Sequence, residues 1–392
     1  MEYITSRKTF FPLVCLLAIL LSGPQLALAE NETNSQTSNI HFFDDVLVDT
    51  SNLPHVTSPT GIVIPPSTRY DYGQFSAKRK IEKRISKIRI FGDSLVDTGN
   101  LPPVTWPFVI PPSTRYDRGR FSNSLVAVEH FSNRLKINLI PSINRVNLDD
   151  KGINWGNGGS TTAMSNINPG GLLVTGLLGQ ITEYEDALDA AGLSEEKTTK
   201  RKRGKKPLFI IWTAHNNYYI PLLTGTIPDE NTVLEAVADI STAVTRLHAR
   251  GAKLIVVANM INLGLPPICQ VLPGDGTCDL LSDLTTDHNA ALAEAMNKLE
   301  TDLDKLKIIQ FNVYEIFEHI FAYPNKYGFT ETSLDEFGPA SGCLLNPSPA
   351  NCSLVDFRNG NIPWWDELHP SASIHEILGN ALYGVIIKKL KH

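Results

Sequence analysis

The sequence predicts an α/β fold in which a parallel sheet of about five strands carries helices on both faces. Three observations predict it. Short β-rich runs alternate with longer stretches of helical periodicity, the pattern of strand–helix units whose strands lie parallel. The first such run, Ile88–Phe91, ends at once in Gly92-Asp93-Ser94, which sets a hydroxyl at the carboxyl end of a strand, where parallel sheets gather their ligands. Finally, the 392 residues are 42% hydrophobic and 19% charged, enough to bury one large α/β domain or two smaller ones. A net charge of −6 gives no reason to expect a nucleic-acid partner.

Arg7 and Lys8 precede an apolar run from Phe10 to Leu21, and Ala27-Leu28-Ala29 supplies the small residues of a cleavage site. This is the layout of a signal peptide over residues 1–29, so a secreted, periplasmic or extracellular protein is expected. A membrane anchor is the competing reading. The apolar run is short for a span, and Gly23-Pro24 interrupts it. Cleavage would remove Cys15 and leave Cys269, Cys278, Cys343 and Cys352 as two pairs. In an oxidising compartment the disulfides Cys269–Cys278 and Cys343–Cys352 are the simplest of the three connectivities. Zinc is the alternative, but metal-binding pairs stand closer together with His or Cys nearby, so no metal is expected.

Residues 30–86 read as an N-terminal extension holding a degenerate copy of the 91–122 motif. Phe43 to Asn52 parallels Phe91 to Asn100, and Ile64–Asp71 (IPPSTRYD) recurs unchanged as Ile110–Asp117. Val46 stands where the second copy has Ser94, and Asp44 and Ser51 replace Gly92 and Gly99. The first copy therefore has neither a nucleophilic atom nor the glycines of a tight turn. The basic tract Lys78–Arg89 reads as a solvated linker into a domain spanning residues 87–392.

Within that domain the strands fall at Ile88–Phe91, near Ile153–Trp155, and at Leu208–Trp212, Leu254–Ala258 and Ile308–Phe311. Helices are predicted near Ser124–Leu135, Asn231–Ala249, Ser282–Leu303 and Ser371–Lys389. The basic, aperiodic Lys197–Lys206 is read as a loop.

Chemistry-bearing residues cluster in separate blocks. The first is Gly92-Asp93-Ser94-Leu95 followed by Asp97-Thr98-Gly99-Asn100; the second is Asn154-Trp155-Gly156-Asn157-Gly158-Gly159-Ser160-Thr161-Thr162. The third, Ala214-His215-Asn216-Asn217, follows the strand at Leu208–Trp212, and the last is Trp365-Asp366-Glu367-Leu368-His369-Pro370. The three-residue spacing of Asp366 and His369 in a turn brings carboxylate and imidazole side by side. That partner distinguishes His369 among the ten histidines; Glu367 is the rival orienter, and His375, inside the last helix, is assigned to packing.

From about residue 88 to 390 the chain resembles the GDSL esterase/lipase (SGNH hydrolase) family through these blocks. The resemblance implies a flavodoxin-like three-layer sandwich and a carboxylic ester hydrolase with no cofactor. It makes Ser94 the nucleophile, with His369 and Asp366 completing the triad. The Ser94 and Gly159 N–H groups and the Asn216 amide become the oxyanion donors, with Gly158 the weaker match to the family glycine. The family's third block is Gly-x-Asn-Asp, so Ala214 and Asn217 depart from it at the turn and at the acidic partner. Leu263–Pro267 and Tyr323–Thr330 are weaker family-like stretches.

Implied substrates are lipid, lysophospholipid or small carboxylic esters. Phospholipase A or lysophospholipase action with acyl transfer, and carbohydrate O-acetyl ester hydrolysis, are the alternatives. An inactive lipid- or glycan-binding relative is the non-enzymatic one. A monomer is expected, with room for peripheral contact with a membrane. Trp106, Phe108, Trp364 and Trp365 fit either an acyl pocket or the core.

Overall fold

A computed structural model of the chain describes residues 84–101, 111, 115–192, 206–330, 338–343 and 362–391, all within one compact unit, Val46–His392. The expected signal peptide, nearly all of the N-terminal extension, Trp106, Phe108 and Cys352 lie outside the described residues. The elements are, in order, β1 (Ile85–Gly92), α1 (Ala127–Arg134), β2 (Leu139–Pro141), β3 (Gly152–Asn154), β4 (Ser165–Ile167), β5 (Leu173–Thr175) and α2 (Leu177–Ala190). They continue with β6 (Lys206–Trp212), α3 (His215–Leu223), α4 (Glu230–Ala249), β7 (Leu254–Ala258), α5 (Thr277–Asp302), β8 (Lys307–Phe311), α6 (Val313–Ala322) and α7 (Ala372–Lys391).

The central strands are near-continuous apolar runs, as strands buried on both faces require. Leu208 to Trp212 in β6 and Leu254 to Ala258 in β7 are all buried. Six strands form one sheet in the order β2-β3-β1-β6-β7-β8, and every pairing in it is parallel. Without the edge strand β2 this is the 2-1-3-4-5 doubly wound order, which reverses direction between β1 and β6. The register sets Ile90 beside Asn154 on one side and Ile210 on the other. Helices α2, α4 and α5 pack in succession as one group, and α1 packs on α7 as another.

The sixth strand exceeds the expected five because β2 has only three half-buried residues and ends in a proline, too little to show a period. Helices α2, α3 and α6 and the β4–β5 hairpin also go beyond the expectation. Helix α2 starts from Gly176 without a side-chain cap, and α3 carries Pro221 among Asn and Tyr residues of modest helix propensity. The basic tract is not solvated throughout: β1 begins at Ile85, and Arg89 is fully buried, donating to the carbonyls of Leu148 at 2.7 Å and Asp150 at 2.9 Å.

His375 is buried in α7, where its Nδ1 accepts the Ala127 N–H at 3.2 Å and so caps the start of α1. Burial holds its pKa down to about 3, with the charges of His130 and His369 adding to the effect. The unfolded chain therefore binds a proton that the folded chain refuses between about pH 6.5 and 3, so stability falls as pH falls through that window. His375→Asn keeps an acceptor for Ala127 and removes the titration. It should flatten the acid slope of stability by up to about 1.4 kcal/mol per pH unit. Thermal melts of both proteins at pH 4.5 and 7 measure this; equal slopes would refute it.

Candidate active site

β1 ends at Gly92, where a Cβ would stand 2.0 Å from the Trp212 carbonyl oxygen, so only glycine permits the close approach of β6. The chain then turns tightly: the Asp93 N–H donates to the Trp212 carbonyl, and Asp93 Oδ1 accepts the Leu95 N–H at 3.0 Å. Ser94 is thereby held just beyond the carboxyl end of β1, at the switch point beside β6.

His369 comes from the turn before α7. Its Nε2 lies 2.8 Å from Ser94 Oγ, and its Nδ1 lies 2.7 Å from Asp366 Oδ2 and 2.9 Å from Oδ1. Asp366 is fully buried and accepts further bonds from the Leu368 N–H at 2.7 Å, the His369 N–H at 2.6 Å and the Tyr116 hydroxyl at 2.6 Å. Burial pushes its pKa up, but His369 and these donors outweigh that and hold it below the usual carboxylate range. An ionised Asp366 keeps the proton on Nδ1, which leaves Nε2 free to accept from the serine hydroxyl. The Phe121 ring packs on the imidazole with centroids 5.0 Å apart. Glu367 turns away and accepts the Gly342 N–H.

Tyr116 and Phe121 are site residues that sequence reasoning missed. The one available signal for Tyr116 was its place in the repeated IPPSTRYD segment.

The second block lies beside the first because Asp97 ties them together. Asp97 Oδ1 accepts the N–H groups of Gly99 at 2.8 Å and Asn100 at 2.7 Å, while Oδ2 accepts that of Gly158 at 2.8 Å. Burial, opposed by these bonds, lifts its pKa to about 6. The Asn100 side chain donates to the carbonyls of Asn154 and Gly156, adding a second tie. Gly158 thus has its N–H engaged. The next residue, Gly159, has φ +80° and an N–H without a partner among the described residues, as does the Ser94 N–H.

The third block opens α3. Asn216 donates through Nδ2 to the Ser160 carbonyl at 3.0 Å and lines a small cleft together with Ser94, Leu95, His215, Tyr219, Ile261, Leu368 and His369. Asn217 serves where the resemblance leads one to expect an acid. Its Oδ1 accepts the Thr162 N–H at 3.0 Å, and its Nδ2 donates at 2.9 Å to the Thr162 hydroxyl, which in turn donates to Asp239. Ala214 occupies the glycine position with φ +101°, so the turn survives at the cost of backbone strain. Ala214→Gly should raise stability by about 1 kcal/mol and leave the site geometry intact. Calorimetry reads this directly; a lower Tm would refute it.

Trp364 and Trp365 do not line the cleft. Both are fully buried; Trp364 stacks on Phe317, and the Trp365 indole N–H donates to the Arg115 carbonyl at 3.0 Å. Cys269 and Cys278 are joined in a disulfide at the start of α5, and Cys343 is also disulfide-bonded, with its expected partner Cys352 outside the described residues. Among the described residues no group of three or more His, Cys, Asp or Glu side chains is placed to hold a metal ion. No described helix is long and apolar enough to cross a membrane.

The profile of the GDSL-like lipase/acylhydrolase family matches residues 88–382, most of the chain. The chain belongs to this family. Among curated members it is similar to the GDSL esterase/lipase APG of Arabidopsis thaliana, 31% identical over 177 residues covering 43% of this chain and 49% of that protein. It is also 25% identical over 258 residues to the GDSL esterase/lipase At1g74460 of the same organism, covering 62% of this chain and 68% of that one. This GDSL family member thus spans about half the length of the first of these relatives. Among solved structures it is similar to a catalytic mutant of an acetylxylan esterase from Geobacillus stearothermophilus, at 12% identity and a TM-score of 0.39, covering 77% of this chain and 94% of that one.

Proposed function

We propose that this GDSL family member is a secreted serine ester hydrolase working through Ser94, His369 and Asp366. The observation that carries the reading is the unbroken hydrogen-bonded line Asp366–His369–Ser94 ending at the cleft. Ser94 Oγ attacks the ester carbonyl carbon as its proton passes to His369 Nε2. The tetrahedral intermediate then collapses, the bond to the alcohol oxygen breaks, and the alcohol leaves with the proton from His369. Water, activated by the same imidazole, hydrolyses the acyl-enzyme.

The developing oxyanion falls to the Ser94 and Gly159 N–H groups and the Asn216 amide. Gly159 is preferred to Gly158 because Asp97 already takes the Gly158 N–H. Asn216→Ala should lower turnover about 100- to 1,000-fold, since the donor acts on charge that appears only at the transition state. A loss under tenfold would remove Asn216 from the role. Acyl esters of lipids, lysophospholipids or small alcohols are the substrates this reading favours. The disulfide Cys269–Cys278 suits the oxidising compartment that secretion implies.

The experiment is incubation with a p-nitrophenyl dialkyl phosphate, followed by peptide mass analysis, beside a p-nitrophenyl ester panel from acetyl to dodecanoyl. Phosphorylation of Ser94 with loss of turnover is expected. Turnover that persists with Ser94 unmodified would overturn the reading, and activity on acetyl alone would move the substrate to O-acetyl esters.

A further inference from the structure

Beside Ser94 stands a second Asp–His pair that the proposed reaction does not use. His215 is the first residue of α3, buried to 6% exposure, and is one of the residues that line the cleft. Its Nδ1 lies 3.0 Å from Oδ2 of Asp93, the fully buried neighbour of the nucleophile. Asp93 Oδ1 is already occupied by the Leu95 N–H. A carboxylate at Nδ1 fixes the tautomer: Nδ1 carries the proton, and Nε2 presents a lone pair. That Nε2 is buried and has no hydrogen-bond partner among the described residues. A buried polar atom left unpaired is destabilising, and one beside a cleft is relieved when a ligand supplies the missing partner. The other polar side chains of the lining are already engaged, Ser94 with His369, Asn216 with the Ser160 carbonyl and Tyr219 with the Leu263 carbonyl, and Leu95, Ile261 and Leu368 complete the wall. An acceptor set in such a wall selects for a donor at one place on the substrate.

We propose that His215 is a specificity residue whose Nε2 accepts a hydrogen bond from a hydroxyl close to the scissile ester. Resting on the esterase reading above, this narrows the substrate from any acyl ester to a hydroxylated one. The hydroxyl belongs either to the leaving alcohol, as in a partly acylated polyol, or to the acyl chain, as in a hydroxy acid. Asp93 acts as the positioning residue that fixes the ring.

The test uses two matched pairs of substrates on the full chain. Glyceryl 1-butyrate against propyl butyrate varies hydroxyls on the alcohol alone. Ethyl 3-hydroxybutyrate against ethyl butyrate varies one on the acyl chain alone. The expected result is a kcat/KM at least about tenfold higher for the hydroxylated member of one pair, which also identifies the side. His215→Asn retains a donor for Asp93 but has no atom at the Nε2 position, and it should bring that ratio to near one. His215→Gln, which restores a polar atom near Nε2, should keep part of the preference. Because each readout is a ratio between two esters, general damage to the serine chemistry cancels.

A wild-type ratio near one in both pairs, or a preference that survives His215→Asn, would overturn the proposal. Absence of turnover on all four esters together with absence of phosphorylation at Ser94 would instead fall on the esterase reading.

Discussion

Ser94→Ala should remove essentially all ester turnover, about 10⁵- to 10⁶-fold in kcat, while leaving a protein that folds and melts as the wild type does. The size follows from the loss of the covalent route. A serine protease stripped of its nucleophile falls by about that factor, and what remains comes from transition-state donors and binding. The selectivity follows from the geometry here. Among the described residues Ser94 Oγ makes one side-chain hydrogen bond, to His369 Nε2. Alanine therefore leaves the turn, the Asp93 bonds and the Asp97 tie in place. The measurement is kcat on a short p-nitrophenyl ester with a thermal melt alongside. Undiminished turnover in a folded variant would move the chemistry away from this serine.

Asp366→Asn should cost about 10⁴-fold in kcat, and unlike the serine change it should also destabilise the fold. The carboxylate accepts from His369 Nδ1, two main-chain N–H groups and the Tyr116 hydroxyl, all in a fully buried site. An amide has one accepting atom. Its NH2 must face a donor or force His369 into the tautomer that puts a proton on Nε2, where Ser94 needs a base. One buried donor without its acceptor costs about 1–3 kcal/mol.

The pH dependence has a definite sign. The Asp366 pKa lies below its unfolded value, so the stability it contributes is fully present above about pH 4 and is lost as pH falls through the folded value. The gap in Tm between wild type and Asp366→Asn should therefore narrow from pH 7 to pH 3. A gap that widens on acidification would contradict this account.

Much of the fold was legible because its signals are local. The apolar runs at Leu208–Trp212 and Leu254–Ala258 are strands in the structure, and the long helices at Glu230–Ala249 and Thr277–Asp302 coincide with the periodic stretches. Elements made by tertiary contact were not legible. β2 exists because it pairs with β3, and α3 forms behind a left-handed Ala214 that no propensity scale favours.

The site divides in the same way. Asp366 and His369 are three residues apart, and the spacing by itself suggests their contact. Tyr116 reaches the same carboxylate across 250 residues of sequence, and the repeat that contains it marks the segment without naming that partner. The resemblance already ranked Gly159 ahead of Gly158, but the bond that occupies the Gly158 N–H comes from Asp97, 61 residues away in the sequence, and was not legible.

The parallel sheet also gives the molecule two unlike ends. The Ser94 loop, the glycine-rich loop and the start of α3 all come directly after strands, so they share one rim. At the opposite rim, β1 and β6 enter side by side: Ile85 is in register with Lys206, and the Lys206 N–H donates to the Arg84 carbonyl at 2.7 Å. Arg84 and Lys206 thus lie a full strand length from Ser94. A substitution at Arg84 or Lys206 therefore falls on the rim away from Ser94 and should leave the Ser94–His369 contact as it is.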